Sequence, residues 1–561
     1  MKEWTFKPLF PDKQKQLEQQ LKLSPLMARL LVNRGYDEPD RARTFLFPSL
    51  KDIPNPCLMR DMDKAVSRLV SAIAKKEKII IYGDYDVDGT SGTSLLILFF
   101  RALEVPVDFY VPNRLREGYS LNPEALKKLK SEGAQLIITV DNGISAVYEA
   151  EVARELGIDL IITDHHECPE VLPKASAVIN PQRPDCPYPA KEICGTGVAF
   201  NLALGLRQRL RDDGYFGETR LEPNMRQFLD FVSLATVADV VPLVGINRIF
   251  VKIGLEELSR STRPAFIALK EACGLEGALT TTDLGFRLGP RVNACGRISD
   301  ASMGVRLFVS RDLSEARSLA QELNAANQQR QNVEKDILKE AVDMLEADKE
   351  ASNRMGHVLY RENWHPGVIG IVASRLVEKY SRPVVILGND GGVLKGSARS
   401  YGGLNLVEAL RACSEHLIKC GGHKAAAGLT LEAQKLDAFR EAFEKKVRKE
   451  IGDKDLRPRL PVDAELSLAE INLALLDELS LLEPHGQGNP APLFCLRGVQ
   501  PRFHRIVGEK HLKFTATREK RDVNAIAFGQ ASRLNLMNHP IDLAFACELN
   551  EFKGTSSIVL N

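Results

Sequence analysis

Ile158-Asp-Leu-Ile-Ile-Thr-Asp164-His165-His166 decides the reading of this chain. A short apolar run bounded by polar residues reads as a buried parallel strand, and this one runs straight into a carboxylate and two imidazoles. Three other apolar runs stop at acidic residues. Lys78-Ile-Ile-Ile-Tyr82 leads into Gly83-Asp84-Tyr-Asp86-Val-Asp88-Gly89, Leu136-Ile-Ile-Thr-Val140 into Asp141-Asn142-Gly143, and Phe231-Val-Ser-Leu-Ala-Thr-Val-Ala238 into Asp239. Helix-like segments around Thr93–Leu103, Pro123–Ser131, Ala146–Leu156 and Val198–Arg211 alternate with these runs, and Val107–Val111 and Ala177–Ile179 supply two more strands. Such alternation predicts an α/β domain built on a doubly wound parallel sheet. Ligands of such sheets gather at the carboxyl ends of the strands. Three strand ends and one further segment are therefore expected to aim carboxylates and imidazoles at one crevice.

The 561 residues exceed what one core holds, and three or four domains are expected. A hydrophobic content of 44% with 27% charged residues is ordinary for a soluble globular protein. The formal net charge of +1 advertises no polyanion partner, so any nucleic-acid surface must be a local basic groove. Met-Lys-Glu-Trp-Thr-Phe at the start carries no apolar signal core, and the apolar stretch around Leu95–Phe100 is far too short to span a membrane. Ten cysteines without a Cys-x-x-Cys pair argue against a zinc ribbon or a disulfide framework. These features predict a reduced, cytoplasmic protein with no membrane association.

Residues 1–60 read as a small helical segment broken by prolines, and residues 61–313 as the first α/β domain. Residues 314–349 contain neither Gly nor Pro and predict one helix of roughly 50 Å connecting two domains. Residues 350–452 read as a smaller α/β unit, with strands near His357–Tyr360, Val384–Leu387 and Val393–Ala398. From 461 to 561 short strands alternate with turns, the pattern of a small barrel such as an OB-fold.

Asp84, Asp86 and Asp88 stand at alternate positions, so on an extended chain their carboxylates share one side and repel unless cations separate them. Capping of the following helix is the competing reading. Asp141 alone would be an ordinary turn residue, and Asp239 is the weakest member, since a helix end carries an Asp without functional cause. Neighbouring strand residues face opposite ways, so one of His165 and His166 is expected to ligate while the other contacts phosphate or orients a ligand. Several carboxylates with an imidazole and no thiolate favour Mn²⁺ or Mg²⁺ over structural Zn²⁺. Two such ions about 3.5–4 Å apart can activate water and stabilise an in-line phosphoryl displacement. The sequence holds no Gly-x-x-x-x-Gly-Lys-Ser/Thr loop and no Gly-x-Ser-x-Gly elbow, which leaves metal-dependent phosphoester hydrolysis.

Together, Gly83–Gly89, Val140–Gly143, Asp164–His166 and Thr236–Asp239 resemble the four motifs of the DHH phosphoesterases. The likeness extends to Gly289-Pro-Arg-Val-Asn-Ala-Cys-Gly-Arg297, Trp364–Arg375, Gly396-Ser-Ala-Arg399, Gly421-Gly-His423 and Glu483–Pro490. In these the chain is similar to the RecJ family, bacterial exonucleases that degrade single-stranded DNA from its 5′ end in DNA repair and recombination. The resemblance implies a DHH catalytic domain, a connecting helix, a DHHA1 domain and a nucleic-acid-binding OB-fold. It implies that Asp86, Asp88, Asp141, His165 and Asp239 hold the metals, that His166 contacts the scissile phosphate, and that Asp84 supports the site or ligates a second ion. A terminal 5′-phosphate calls for guanidiniums; Arg114, Arg291, Arg297 and Arg399, with Ser397 and His423, are the candidates. In the barrel, Phe503, His504 and Phe514 are candidates to stack bases beside Arg505 and Lys513, and about half of such aromatics should instead be core. The family adds expectations of a monomer assisted by a single-strand-binding protein and a RecQ-type helicase. The competing activity is a DHH phosphodiesterase or pyrophosphatase acting on small nucleotides, short oligonucleotides or polyphosphate; the region after Pro461 argues against it.

Overall fold

Five parallel strands form the first sheet, in the order Val107–Tyr110, Ile79–Tyr82, Leu136–Val140, Asp159–Thr163 and Ala177–Ile179. The structure, a computed structural model, describes residues 3–113, 117, 120–298, 300, 302–452, 454, 456–552 and 555–561. Strands Ile79–Tyr82 and Leu136–Val140 are buried at every position, as unbroken apolar runs in a sheet covered on both faces must be. Helices Pro123–Ser131 and Val147–Glu155 pack Leu126, Leu129, Ala150 and Ala153 against Ile80, Ile137 and Ile162. The helix Val87–Ala102 lies against Val140 at Gly92, where a Cβ would fall 2.6 Å from Val140 Cγ1.

One reading left open closes, and one expected helix lengthens. The run ending at Asp239 is a helix, Leu229–Ala238, nearly all of it buried. A helix buried all round loses its 3.6-residue signal, and over eight residues it cannot be told from a buried strand. The helix expected near Thr93 begins at Val87, masked in the sequence by Gly89, Gly92 and several Ser and Thr of poor helix propensity.

The chain divides into two compact bodies. One comprises Trp4–Gly289, Gly304–Arg317 and Arg459–Asn561; the other comprises Pro290–Met303 and Ser318–Pro458 with the first residues of the chain. In the first body, helices Pro11–Leu21, Pro25–Val32 and Pro39–Leu46 each open on a proline, which fits a first turn that needs no amide donor. Their Leu17, Leu30, Leu31 and Phe45 share one core with Phe494, Leu496, Leu512 and Phe514 of the C-terminal sheet. There Phe494–Val507 is one long strand, with register breaks at Leu496/Val499 and Arg502/Arg505. Such breaks bend a strand, so its first half pairs with Ile541–Phe545 and its second with His511–Arg518, giving an OB-like curled sheet.

The second body has a mixed sheet in the order Lys419–Gly422, Ala426–Leu431, Val393–Arg399, Val384–Asp390 and His357–Tyr360. Its first two strands escape sequence reading because Gly421, Gly422 and Gly428 replace the β-branched residues that signal strands. The helix Leu313–Ala347 is 35 residues long, and its Ile337, Ala341 and Leu345 pack in this body with Trp364 and Val368.

Arg248, on the helix Gly245–Ser259 and 1% exposed, ties the first body together. It donates to the carbonyls of Phe45, Leu481, Leu482 and Glu483 at 2.6–2.9 Å, with its guanidinium 3.9 Å over the Phe45 ring. Beside it, His485 accepts at its carbonyl from Thr281 Oγ1 at 2.7 Å. Burial, with the charges of Arg34 and Arg248, pushes the His485 imidazole down to about 4 from an ordinary 6.5. Between those values the unfolded chain takes up a proton that the folded chain refuses, so this contribution is complete above pH 6.5 and lost as pH falls towards 4. On going from pH 7 to 5 the stability of His485→Gln is expected to fall less than that of wild type, by on the order of 1 kcal/mol after solvent screening. Denaturant titrations at the two pH values check this, and equal falls would refute it.

Candidate metal centre

Beyond Tyr82 the chain folds back on itself rather than staying extended. A Cβ on Gly89 would fall 2.6 Å from Asp84 Cα and Cβ, so the helix start can close over Asp84 only with glycine there. Asp86 is the N-cap, accepting from Gly89 N at 3.0 Å, and Asp88 sits in the first helical turn. The three aspartates are therefore grouped by a strand-to-helix turn and not by one side of a strand. The capping reading holds for Asp86, and the same residue still places a carboxylate oxygen with those of Asp84 and Asp141, all within 4.8 Å of one another.

Asp88 is fixed by a second helix. Gly195 N donates to its Oδ2 at 2.6 Å and Thr196 N to its Oδ1 at 2.7 Å, while Thr196 Oγ1 donates to its carbonyl at 2.7 Å. These amides open the helix Gly195–Asp212, whose positive end faces the carboxylate. Gly195 also lies against Asp141, where a Cβ would stand 2.6 Å from Asp141 Cβ. Gly195 and Thr196 are functional positions that sequence reasoning passed over; the available signal was Gly-Thr-Gly opening an apolar helix.

Asp141 turns into left-handed backbone, φ +63°, at the end of its strand. Thr139 Oγ1 donates to Asn142 O at 2.7 Å and Asn142 Nδ2 to Val140 O at 2.9 Å, which closes the turn. Asp239 follows its helix and precedes Val240, whose φ of +59° is costly for a β-branched residue. The direction of that carboxylate is thus set by strained backbone.

Asp164 belongs to none of the ligating groups among the described residues. Its carboxylate accepts from Ile144 N at 2.8 Å, His165 N at 2.7 Å, His166 N at 3.2 Å and His166 Nδ1 at 2.7 Å. Burial opposes its charge, but these bonds and the His166 charge win and hold it below the usual carboxylate range. His165 Nε2 lies 3.1 Å from Asp141 Oδ1, 3.7 Å from Asp239 Oδ2 and 3.8 Å from Asp88 Oδ2. The two imidazoles do not diverge as strand alternation predicts. Their centroids are 4.6 Å apart, because the strand has already ended at Thr163, and both present a nitrogen to Asp141. Burial lowers the His165 pKa. Burial also works against charge on His166, but the bond and charge of Asp164 raise it to about 9, so it is cationic at neutral pH.

Asp86, Asp141 and Asp239 are all raised above the carboxylate range by burial and then by their neighbours' charges, Asp88 foremost. Crowded carboxylates of this kind either hold protons or share cations. The donor set of aspartate oxygens with His165 Nε2, falling into the groups Asp84–Asp86–Asp141 and Asp88–His165–Asp239, fits hard divalent ions such as Mn²⁺ or Mg²⁺.

The other singled-out residues fall elsewhere. Arg114 lies outside the described residues. In the second body, Arg399 donates to Ser397 Oγ at 2.9 Å, Ala398 O at 2.9 Å and Ser374 Oγ at 3.1 Å, and burial lowers its pKa. Gly370 clears space for this pair, since a Cβ there would meet Ser397 Oγ at 2.8 Å. Arg291 donates to Asn324 Oδ1 and Arg297 to Gly367 O, each at 2.9 Å, and His423 N donates to Ala426 O. In the curled sheet Phe503 is 83% exposed and Arg505 pairs in register with Lys513, both exposed, whereas Phe514 is core.

Family models match three stretches: the DHH family N-terminal domain at residues 78–236, the DHHA1 domain at 353–449 and the RecJ OB domain at 462–561. The chain is 40% identical over 553 residues to the single-stranded-DNA-specific exonuclease RecJ of Salmonella typhimurium, covering 96% of this chain and 95% of that protein. It is 39% identical over 535 residues to RecJ of Bacillus subtilis, where it covers 94% of itself and 66% of the relative. The crystal structure of RecJ from Thermus thermophilus in complex with Mn²⁺ superposes with a TM-score of 0.83 at 32% identity, covering all of this chain and 78% of that one. A likeness of that depth over almost the whole length settles kinship: the chain belongs to the RecJ family of single-stranded-DNA-specific exonucleases.

Proposed function

We propose that this chain is a metal-dependent exonuclease that shortens single-stranded DNA from its 5′ end and releases 5′-mononucleotides. The observation that carries the reading is the convergence of Asp84, Asp86, Asp88, Asp141, Asp239, His165 and His166 at the carboxyl ends of one parallel sheet. Asp86, Asp88, Asp141, His165 and Asp239 would hold divalent ions, and Asp84 would support the site or ligate a second ion. Bound there, such ions acidify water and withdraw charge from a phosphoryl group. Asp88 is pinned by two helix amides, which fix its direction ahead of ion binding. With His166 Nδ1 committed to Asp164, a charge-assisted hydrogen bond to a scissile phosphate oxygen falls to Nε2 of the same cationic ring.

The second body supplies an anion cradle. Arg399 is buried among serine hydroxyls, and Ser397, Arg291, Arg297 and His423 of the same body would complete recognition of a terminal 5′-phosphate. The exposed Phe503 ring, flanked by Arg505 and Lys513, suits a base stacked on an aromatic face with its phosphates on cations. Residues 61–313, 350–452 and 461–561 would thus divide hydrolysis, end recognition and strand binding.

Relief of like-charge crowding is expected to show without turnover. Asp141→Asn should raise the unfolding temperature of the metal-free protein by about 1–2 °C, roughly 1 kcal/mol, and shrink the further rise that Mn²⁺ gives wild type; calorimetry with and without Mn²⁺ reads both, and a wild-type unfolding temperature indifferent to Mn²⁺ refutes the centre. On single strands labelled at one end or the other, the 5′ label should appear first as mononucleotide, with His166→Ala slowing kcat by about 100-fold or more while Mn²⁺ binding persists. Early loss of the 3′ label would reverse the polarity. Arg399→Ala should raise KM on 5′-phosphorylated strands about tenfold and leave 5′-hydroxyl strands unaffected; an equal loss on both would remove Arg399 from end recognition.

A further inference from the structure

The pairing of strand Asp159–Thr163 with Ala177–Ile179 stops just before the two histidines, with Asp164 N donating to Ile179 O at 3.1 Å. Past that bond no strand lies opposite to fix His165 and His166, yet all four backbone polar groups of the pair are held, each by a side chain. Asp164 accepts from both amides. Asn180 Nδ2 donates to the His166 carbonyl at 2.9 Å, and Gln182 Nε2 donates to the His165 carbonyl. The two amide side chains carry on the ladder that the backbone has abandoned, and they grip consecutive carbonyls from one side while Asp164 grips the amides.

The support is itself anchored. Asn180 is fully buried, and its Oδ1 accepts from Gln182 N at 2.8 Å. Arg183 N donates to Asn180 O at 3.3 Å. The Arg183 guanidinium donates to Val178 O at 2.6 Å, to Asp61 Oδ2 at 2.7 Å and to both carboxylate oxygens of Asp185 at 2.9 Å. In an ordinary strand the two rings would part; here both peptide planes are turned so that the rings meet near Asp141.

We propose that Asn180 and Gln182 are positioning residues of the metal centre: by holding the carbonyls of His166 and His165 they set how tightly and in what geometry the centre binds its ion. The inference rests on the reading of His165 as a ligand. Partners of this outer kind commonly govern ion affinity by tenfold or more.

Gln182 is exposed, so its variants test the idea without endangering the fold. Gln182→Ala and Gln182→Glu should leave the unfolding temperature of the metal-free protein within about 2 °C of wild type. Both should weaken Mn²⁺ binding roughly 3- to 10-fold, measured as loss of the free-ion signal in an electron paramagnetic resonance titration. The glutamate should do no better than alanine despite its length, because a carboxylate cannot donate. The line shape of bound Mn²⁺ should broaden in both, and the Mn²⁺ concentration for half-maximal activity should rise by the same factor. Asn180→Ala, at a buried position, should weaken binding further and also lower the unfolding temperature. Variants that bind Mn²⁺ as wild type does, with an unchanged line shape, would overturn the proposal, as would a fall in unfolding temperature with no change in affinity. A wild-type chain that takes up no Mn²⁺ would overturn the metal reading itself, and this proposal with it.

Discussion

Carboxylates packed where water cannot screen them are the constraint around which this fold is arranged. Burial and mutual repulsion raise Asp86, Asp141 and Asp239 together, so the elements carrying them must be held by forces independent of the charges they present. The isoleucine-rich strands supply that hold through burial on both faces. The glycines at 89, 92 and 195 convert it into closeness, since at each a single methyl would collide with the neighbouring segment. Left-handed backbone at Asp141 and Val240 makes the same point locally: conformations disfavoured in isolation persist because the surroundings over-determine them.

Much of this was legible in the residue order. Wholly apolar runs stopping at acids identify a parallel sheet with its ligand edge, and all five strands, the long helix and the second body's central strands follow from period and punctuation. The candidate ligands were legible because acids and histidines at strand ends are chemically unusual company. What stayed hidden was hidden for physical reasons. The helix Leu229–Ala238 is buried nearly all round, so amphipathic period was absent. The strands Lys419–Gly422 and Ala426–Leu431 are glycine- and alanine-rich, so propensity pointed elsewhere.

Contacts remote in sequence leave no local signature at all. Nothing near Asp88 announces that Gly195 and Thr196 will donate to it 107 and 108 positions later. The convergence of the two histidines was misjudged for a related reason: alternation governs side chains only while a strand lasts, and this one stops at Thr163. The OB-like sheet carries both halves of the lesson, with Phe503 outside and Phe514 inside on strands of similar composition.

The core shared by Leu17, Leu30 and Phe45 with Phe494 and Leu512 has a consequence for how the molecule is made. Partners such as Lys7 and Asp463 lie 456 residues apart. At ribosomal speeds of about 5–20 residues per second, the early helices emerge tens of seconds before the surface that will cover them. Through that interval Leu30 and Leu31 lack the Phe494 and Leu512 side of their shared core. The helices of residues 11–46 can thus complete that core only after the C-terminal strands are made, whereas the parallel sheet draws on no strand beyond Ile179.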